Sequence, residues 1–271
     1  MTAVLWLRRD LRRADLPALA AAHGRASGGE VAVCVALDPG DEARGAAPRA
    51  WWAATLLALR ETYEGRLTLL EGDPAEALVA FAARLGASSV HVSRETEPAG
   101  VARDARVRAA LAAAGVDWVE TGTPYAVAPG AVLTAAGRPF EIFTPFARRW
   151  REHLGEPPAQ EPPGLRLAPA SGDEGAWARL EARADAAAAL ELPPAGEEAA
   201  LARWHGFLDE GLPGYARRRD RADLDGTSRL SPYLALGVLH PGPCSPTCSR
   251  TAARTPRSSS PSSPGASSTP T

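Results

Sequence analysis

Over the first 127 residues, short apolar runs alternate with longer stretches of mixed character. Residues 3–7 are an unbroken apolar run, expected as a buried strand, followed by a polar turn and a helix beginning near Leu16-Pro17. Residues 31–37 form a second run, ended by Asp38-Pro39-Gly40. From about residue 48 to 63, Trp51, Trp52, Thr55, Leu56 and Leu59 recur at three- and four-residue spacing, which predicts a long amphipathic helix. A third strand is expected over 66–70. Asp73-Pro74 then has the signature of an N-cap and first helical residue, opening a helix through Leu85. A fourth strand (89–93), a helix (100–114) and a fifth strand (117–120) complete the series. Five strands alternating with helices predict an α/β fold, a doubly wound five-stranded parallel sheet of Rossmann-like type. Ligands of such sheets bind beyond the carboxyl ends of the strands. Those ends carry Arg8-Arg9-Asp10, Asp38-Pro39-Gly40, Glu71-Gly72-Asp73 and Arg94-Glu95-Thr96-Glu97. No G-x-G-x-x-G follows the first strand and no Walker A sequence occurs, which disfavours a standard dinucleotide or ATP site.

Beyond residue 127 the pattern changes. Residues 155–170 hold five prolines and a second break falls at Pro193-Pro194, with an Ala-rich helix expected over 177–190 between them. Residues 128–195 thus read as a long crossing segment rather than a domain. Residues 196–241 open with a helix carrying Leu201, Trp204, Phe207 and Leu208, and are too few for a core of their own. Exposure of Trp204 and Phe207 is expected there. In residues 242–271, 20 of 30 are Ser, Thr or Pro, with no Leu, Val, Ile, aromatic, Asp or Glu. A tail of that composition is expected to be disordered.

Composition narrows the function classes. The 271 residues carry a formal net charge of −2, which excludes a generally basic nucleic-acid coat protein and a highly charged disordered chain. All 30 basic residues are Arg, and Asn is absent, the mark of a GC-rich genome rather than of function. Cys34 reads as a small buried hydrophobe. Cys244 and Cys248 have neither a second pair nor a following His, and the five histidines are scattered, so no metal site is expected. No stretch approaches the roughly 20 apolar residues of a membrane span, and the N-terminal run is too short for a signal peptide. The expectation is a cytoplasmic monomer. Trp6, Trp51 and Trp52 are expected in the core; Arg9 and Asp10 suit a ligand contact or an ion pair at a strand end equally well, and Glu97 a ligand contact or a plain surface position.

Two motifs go further. Trp6-Leu7-Arg8-Arg9-Asp10-Leu11-Arg12, followed by Asp15 and Pro17-Ala18-Leu19, resembles the opening of the DNA photolyase and cryptochrome family. Arg66-Leu67, Gly72-Asp73-Pro74 and Phe143-Thr144-Pro145-Phe146 also match. The sharpest likeness is Tyr215, Arg219-Asp220, and Gly226-Thr227-Ser228-Arg229-Leu230-Ser231-Pro232-Tyr233-Leu234 with Gly237 and Leu239. The resemblance implies an α/β antenna domain (1–127), an interdomain linker (128–195) and the start of an all-α FAD-binding domain (196–241). By the same resemblance Tyr215, Thr227, Ser228, Arg229, Leu230 and Ser231 contact FAD around its pyrophosphate and ribityl chain, and Arg219 the DNA backbone. The implied partner is damaged DNA, and the implied activity is blue-light-driven repair of cyclobutane pyrimidine dimers. A folate, a deazaflavin or a second flavin is implied as antenna pigment.

The residues themselves leave other readings open. Thr227-Ser228 also suits an N-cap box, and the arginines at 217, 218, 219 and 221 a solvated helix face. Nothing in residues 1–241 separates repair from a cryptochrome-type light sensor. A stand-alone pigment- or nucleotide-binding α/β domain is a third reading, disfavoured because the chain runs past the linker into the second motif. Leu7 stands where the family has Phe, and Leu16 where it has Asn. Family members run much longer than this chain, which is therefore expected to be an inactive N-terminal fragment. Its tail is expected to be out-of-frame sequence: with GC-rich codons, the stretch from Pro243 to Arg250 read two nucleotides on becomes Val-Leu-Ala-Asp-Leu-Leu-Ala.

Overall fold

The structure is a computed structural model, and it describes residues 1–37, 45–154, 158–171, 174–186 and 190–241. The tail with Cys244 and Cys248, and the turn Asp38-Pro39-Gly40, lie outside the described residues. Strands β1 (Thr2–Leu7), β2 (Glu30–Leu37), β3 (Leu67–Glu71), β4 (Ser89–Val92) and β5 (Asp117–Glu120) form one parallel sheet in the order β3-β2-β1-β4-β5. The crossovers are helices α1 (Pro17–Ala26), α2 (Ala46–Thr62), α3 (Pro74–Leu85) and α4 (Pro98–Ala113).

The continuous apolar runs have a direct cause: both faces of the sheet are covered. Ala3, Leu5 and Leu7 of β1 and Val31, Val33 and Val35 of β2 pack on one face, with Leu19, Trp51, Trp52, Leu56 and Leu59 of α1 and α2. The alternate residues Val4, Trp6, Ala32 and Cys34 pack on the other, with Leu78 and Phe81 of α3 and Val107 and Leu111 of α4. Cys34 is fully buried, and burial pushes its thiol well above the usual range, so it stays protonated and inert. The Asp73 cap is formed, its Oδ1 accepting from the Ala75 N–H at 2.9 Å.

The crossing segment holds two helices, α5 (Phe143–Glu152) and α6 (Glu174–Asp185). The sequence predicts only the second, over 177–190; its described extent is Glu174–Asp185, and residues 187–189 of the expected helix lie outside the described residues. Between them the chain lies along β2, where Val31 N–H donates to Arg166 C=O at 2.8 Å and Ala168 N–H to Val31 C=O at 2.9 Å. α6 sets Trp177 against α2, with the Arg60 guanidinium 4.6 Å from the Trp177 ring centroid.

Residues 196–241 comprise α7 (Glu197–Gly206), a π-turn (Phe207–Gly211), a 3-10 turn (Leu212–Gly214), α8 (Tyr215–Arg218) and α9 (Ser231–Ala235). They build no core of their own. Ala200, Leu230, Tyr233, Val238 and Leu239 join the α1/α2 side of the sheet's core. Tyr233 meets Trp51 edge-on at 5.4 Å between ring centroids, and its hydroxyl donates to Pro194 C=O at 2.7 Å. The first and last sequence motifs interlock here: Leu11 N–H donates to Leu236 C=O at 3.1 Å, and Arg12 Nη1 to Gly237 C=O at 3.0 Å. Gly237 has φ +63°, and a Cβ there would stand 1.9 Å from Arg9 C=O, so only glycine permits this approach.

Candidate functional site

Two regions carry the expected chemistry. The first is the carboxyl end of the sheet, where the strand order reverses between β1 and β4. The Arg8 guanidinium is buried there, bonded to Asp104 and to Ser93 C=O, and lies 4.9 Å from the Trp6 ring centroid. Arg103 flanks the same ring at 5.0 Å and pairs with Asp104 at 2.8 Å. Burial alone would raise the Glu95 carboxyl, but hydrogen bonds from the Glu97 and Thr96 amides hold it below its ordinary range.

The Arg9–Asp10 ion pair left open by the sequence does not form. Asp10 is 1% exposed and turns back to accept from the Arg8 N–H at 2.7 Å, while Arg9 reaches Glu97 at 2.7 Å. A buried carboxylate two residues on from that amide can satisfy it, which an outward-facing arginine cannot do. Glu97 is therefore a surface residue with a partner. Trp6, Trp51 and Trp52 are core residues as expected.

The second region is the strip 226–231. Gly226 is buried against the backbone of Arg218, so the strip lies beside the α8 turn that carries Tyr215 and Arg219. Arg229 has φ +51° and Leu230 φ −82°, ψ −7°. A left-handed residue followed by a right-handed one turns successive amides toward one side, the geometry of an anion-binding nest. Among the described residues, none of the N–H groups of Thr227, Ser228, Arg229, Leu230 and Ser231 donates to a protein acceptor. Five consecutive open donors suit a polyanionic group, and an FAD pyrophosphate fits this description.

The side chains divide. Leu230 is 6% exposed and packs in the core with Tyr233, whereas Thr227, Arg229 and Ser231 are exposed and Ser228 is half-buried. Arg229 Nε donates to Asp225 at 2.7 Å. Tyr215 is half-buried, set edge-on to Phe207 at 5.7 Å, with the Arg219 guanidinium 6.0 Å from its ring centroid. Neither Thr227 nor Ser228 forms the N-cap box that the sequence left open: α9 starts at Ser231 and has no side-chain cap. It is also only five residues long, so the open amides rather than a helix dipole give the strip its positive character. Trp204 and Phe207 are half-buried rather than exposed, because Trp204 leans on the sheet's core and the two rings stack at 6.1 Å.

Sequence reasoning missed Arg203 of α7. Its Nε donates to Ser228 C=O at 2.8 Å and its Nη2 to Thr227 C=O at 3.2 Å. Its targets are main-chain oxygens, so no pairing of residue types could have revealed them.

The family model for DNA photolyase matches residues 3–163. A deoxyribodipyrimidine photo-lyase of Thermus thermophilus is 40% identical over 243 residues, covering 88% of this chain and 52% of that protein. Among solved structures, a class III photolyase of Agrobacterium tumefaciens superposes with TM-score 0.76 at 28% identity, over 95% of this chain and 54% of that one. A cryptochrome of Synechocystis sp. PCC6803 has TM-score 0.77 at 20% identity, over 94% and 56%, a likeness of fold. The chain spans about half the length of the curated relatives it matches.

Proposed function

Because the chain belongs to the DNA photolyase family, we propose that residues 226–231 are the pyrophosphate-binding wall of a flavin site built for light-driven repair of pyrimidine dimers in DNA. The observation that carries this reading is the run of five open amides from Thr227 to Ser231. The hydroxyls of Thr227, Ser228 and Ser231 and the phenol of Tyr215 add donors alongside it, and Leu230 anchors the run in the core. Bound FAD would supply the photoexcited electron that splits a dimer. This chain's residues contribute binding and orientation: the amides take the phosphate charge, and Arg219, exposed on the same turn as Tyr215, takes a DNA phosphate.

Residues 1–127 are then the antenna-type domain, 128–195 the connector and 196–241 the opening of the flavin domain. A folate, a deazaflavin or a flavin would lie at the carboxyl ends of β1 and β4. Among the described residues no helix is long and apolar enough to cross a membrane. Repair is favoured over light sensing by the relatives named as photo-lyases.

Residues 215–231 form one wall of such a flavin site, too little by itself to enclose a large cofactor. Added FAD should bind the chain weakly and reversibly, so that as purified it is expected to be colourless and to leave a thymine-dimer oligonucleotide unrepaired under blue light. A yellow protein with stoichiometric FAD, or light-dependent repair, would overturn the one-wall reading.

A further inference from the structure

A strip of open amides is useful only if it is held open. A peptide unit is planar and trans, so fixing its C=O fixes the following N–H to point the opposite way. Arg203 holds the carbonyls of Thr227 and Ser228 at 3.2 and 2.8 Å. The N–H groups of Ser228 and Arg229 must then face away from α7, where no protein acceptor meets them. Leu230, buried in the core, fixes the other end of the same strip. A planar guanidinium suits this task, because its forked donors reach two carbonyls without rotating. Asp225 lies only loosely beside the fork: its Oδ1 is 3.7 Å from Arg203 Nη2, while it accepts from Arg229 Nε at 2.7 Å.

We propose that Arg203 is a positioning residue for flavin binding, presetting the amides of Ser228 and Arg229 to face the pyrophosphate. The assignment of the ligand rests on the flavin reading above; the fastening of the strip does not.

Two measurements on the full chain separate the two. Backbone ¹⁵N order parameters read the strip directly, and in the wild type those of Ser228 and Arg229 should approach the ~0.85 of rigid backbone. In Arg203→Ala they should fall toward ~0.6, with Arg203→Lys intermediate, since an ammonium keeps the charge and loses the fork. Asp225→Asn should leave them nearly unchanged, because the carbonyl bonds remain. FAD affinity, measured by equilibrium dialysis, should drop about tenfold in Arg203→Ala, the scale of a lost hydrogen bond to a charged group.

Order parameters unchanged in Arg203→Ala overturn the positioning role, whatever the chain binds. Loosening in that variant, beside a wild type with no affinity for FAD or inorganic pyrophosphate, supports the fastening and overturns the flavin reading. Equal loss in Asp225→Asn would overturn the carbonyl clamp in favour of a simple ion pair. The near-ultraviolet signal of the Trp51–Tyr233 pair reports whether each variant has kept its fold.

Discussion

His91 lies in the middle of β4, 2% exposed, with its Nε2 3.0 Å from Ser89 Oγ. Burial, with the charge of Arg25 adding to it, lowers its pKa from 6.5 to about 4. Between those values the unfolded chain binds a proton that the folded chain refuses. Stability contributed by this residue is therefore complete above pH 6.5 and is lost as pH falls toward 4, by as much as about 3 kcal/mol. Denaturant melts of wild type and His91→Gln from pH 7 to pH 4 should converge or cross as the acid limit is reached; parallel curves would contradict this. At this scale the sequence was readable where one side chain serves one local need. Asp73 before Pro74 capped its helix, and Cys34 in an apolar run was buried. It was opaque where the partner is main chain from a distant segment. Asp10 turned to a backbone amide, Arg12 to Gly237 C=O and Arg203 to the strip's carbonyls, and none of these partners has a residue type to match.

The elements follow the hydrophobic period closely from β1 to β4, because those strands are covered on both faces and each crossover helix on one; the edge strand β5 is only half-covered. α5 escaped the reading although Phe143, Phe146, Ala147 and Trp150 recur at three- and four-residue spacing; that stripe meets no core, and Ala147 is the only residue of the helix that is buried. Residues 196–241 were recognisable as too small for a core, yet only the structure revealed whose core they borrow. That borrowing predicts a specific weakness. Gly237→Ala places a methyl against Arg9 C=O in a left-handed backbone, and should free residues 196–241 while the sheet stays folded. Limited proteolysis should then release this segment, leaving a resistant α/β core; a cleavage pattern like that of the wild type would contradict the interlock. Tyr233→Phe removes only the bond to Pro194 and should cost about 1 kcal/mol in a denaturant melt.

At the scale of the molecule, charge limits what the α8 region can do. Five arginines from 215 to 229 face three aspartates, and Arg221 is held bidentately by Asp223 at 2.8 and 2.6 Å. DNA affinity of the chain should accordingly be weak and carried by few contacts. If Arg219 meets one phosphate, Arg219→Ala should reduce the slope of log affinity against log salt by about 0.9; an unchanged slope would remove it from the interface. The fold and the family's main motifs were readable because both rest on local sequence, whereas the open face of the strip depends on how three distant segments meet. The most direct test of that face compares FAD with riboflavin, which lacks every phosphate, by equilibrium dialysis against the wild-type chain. Saturable FAD binding displaced by inorganic pyrophosphate, with no uptake of riboflavin, is the predicted result. Riboflavin bound as well as FAD, or FAD indifferent to pyrophosphate, would contradict the assignment of Thr227–Ser231 to the phosphates.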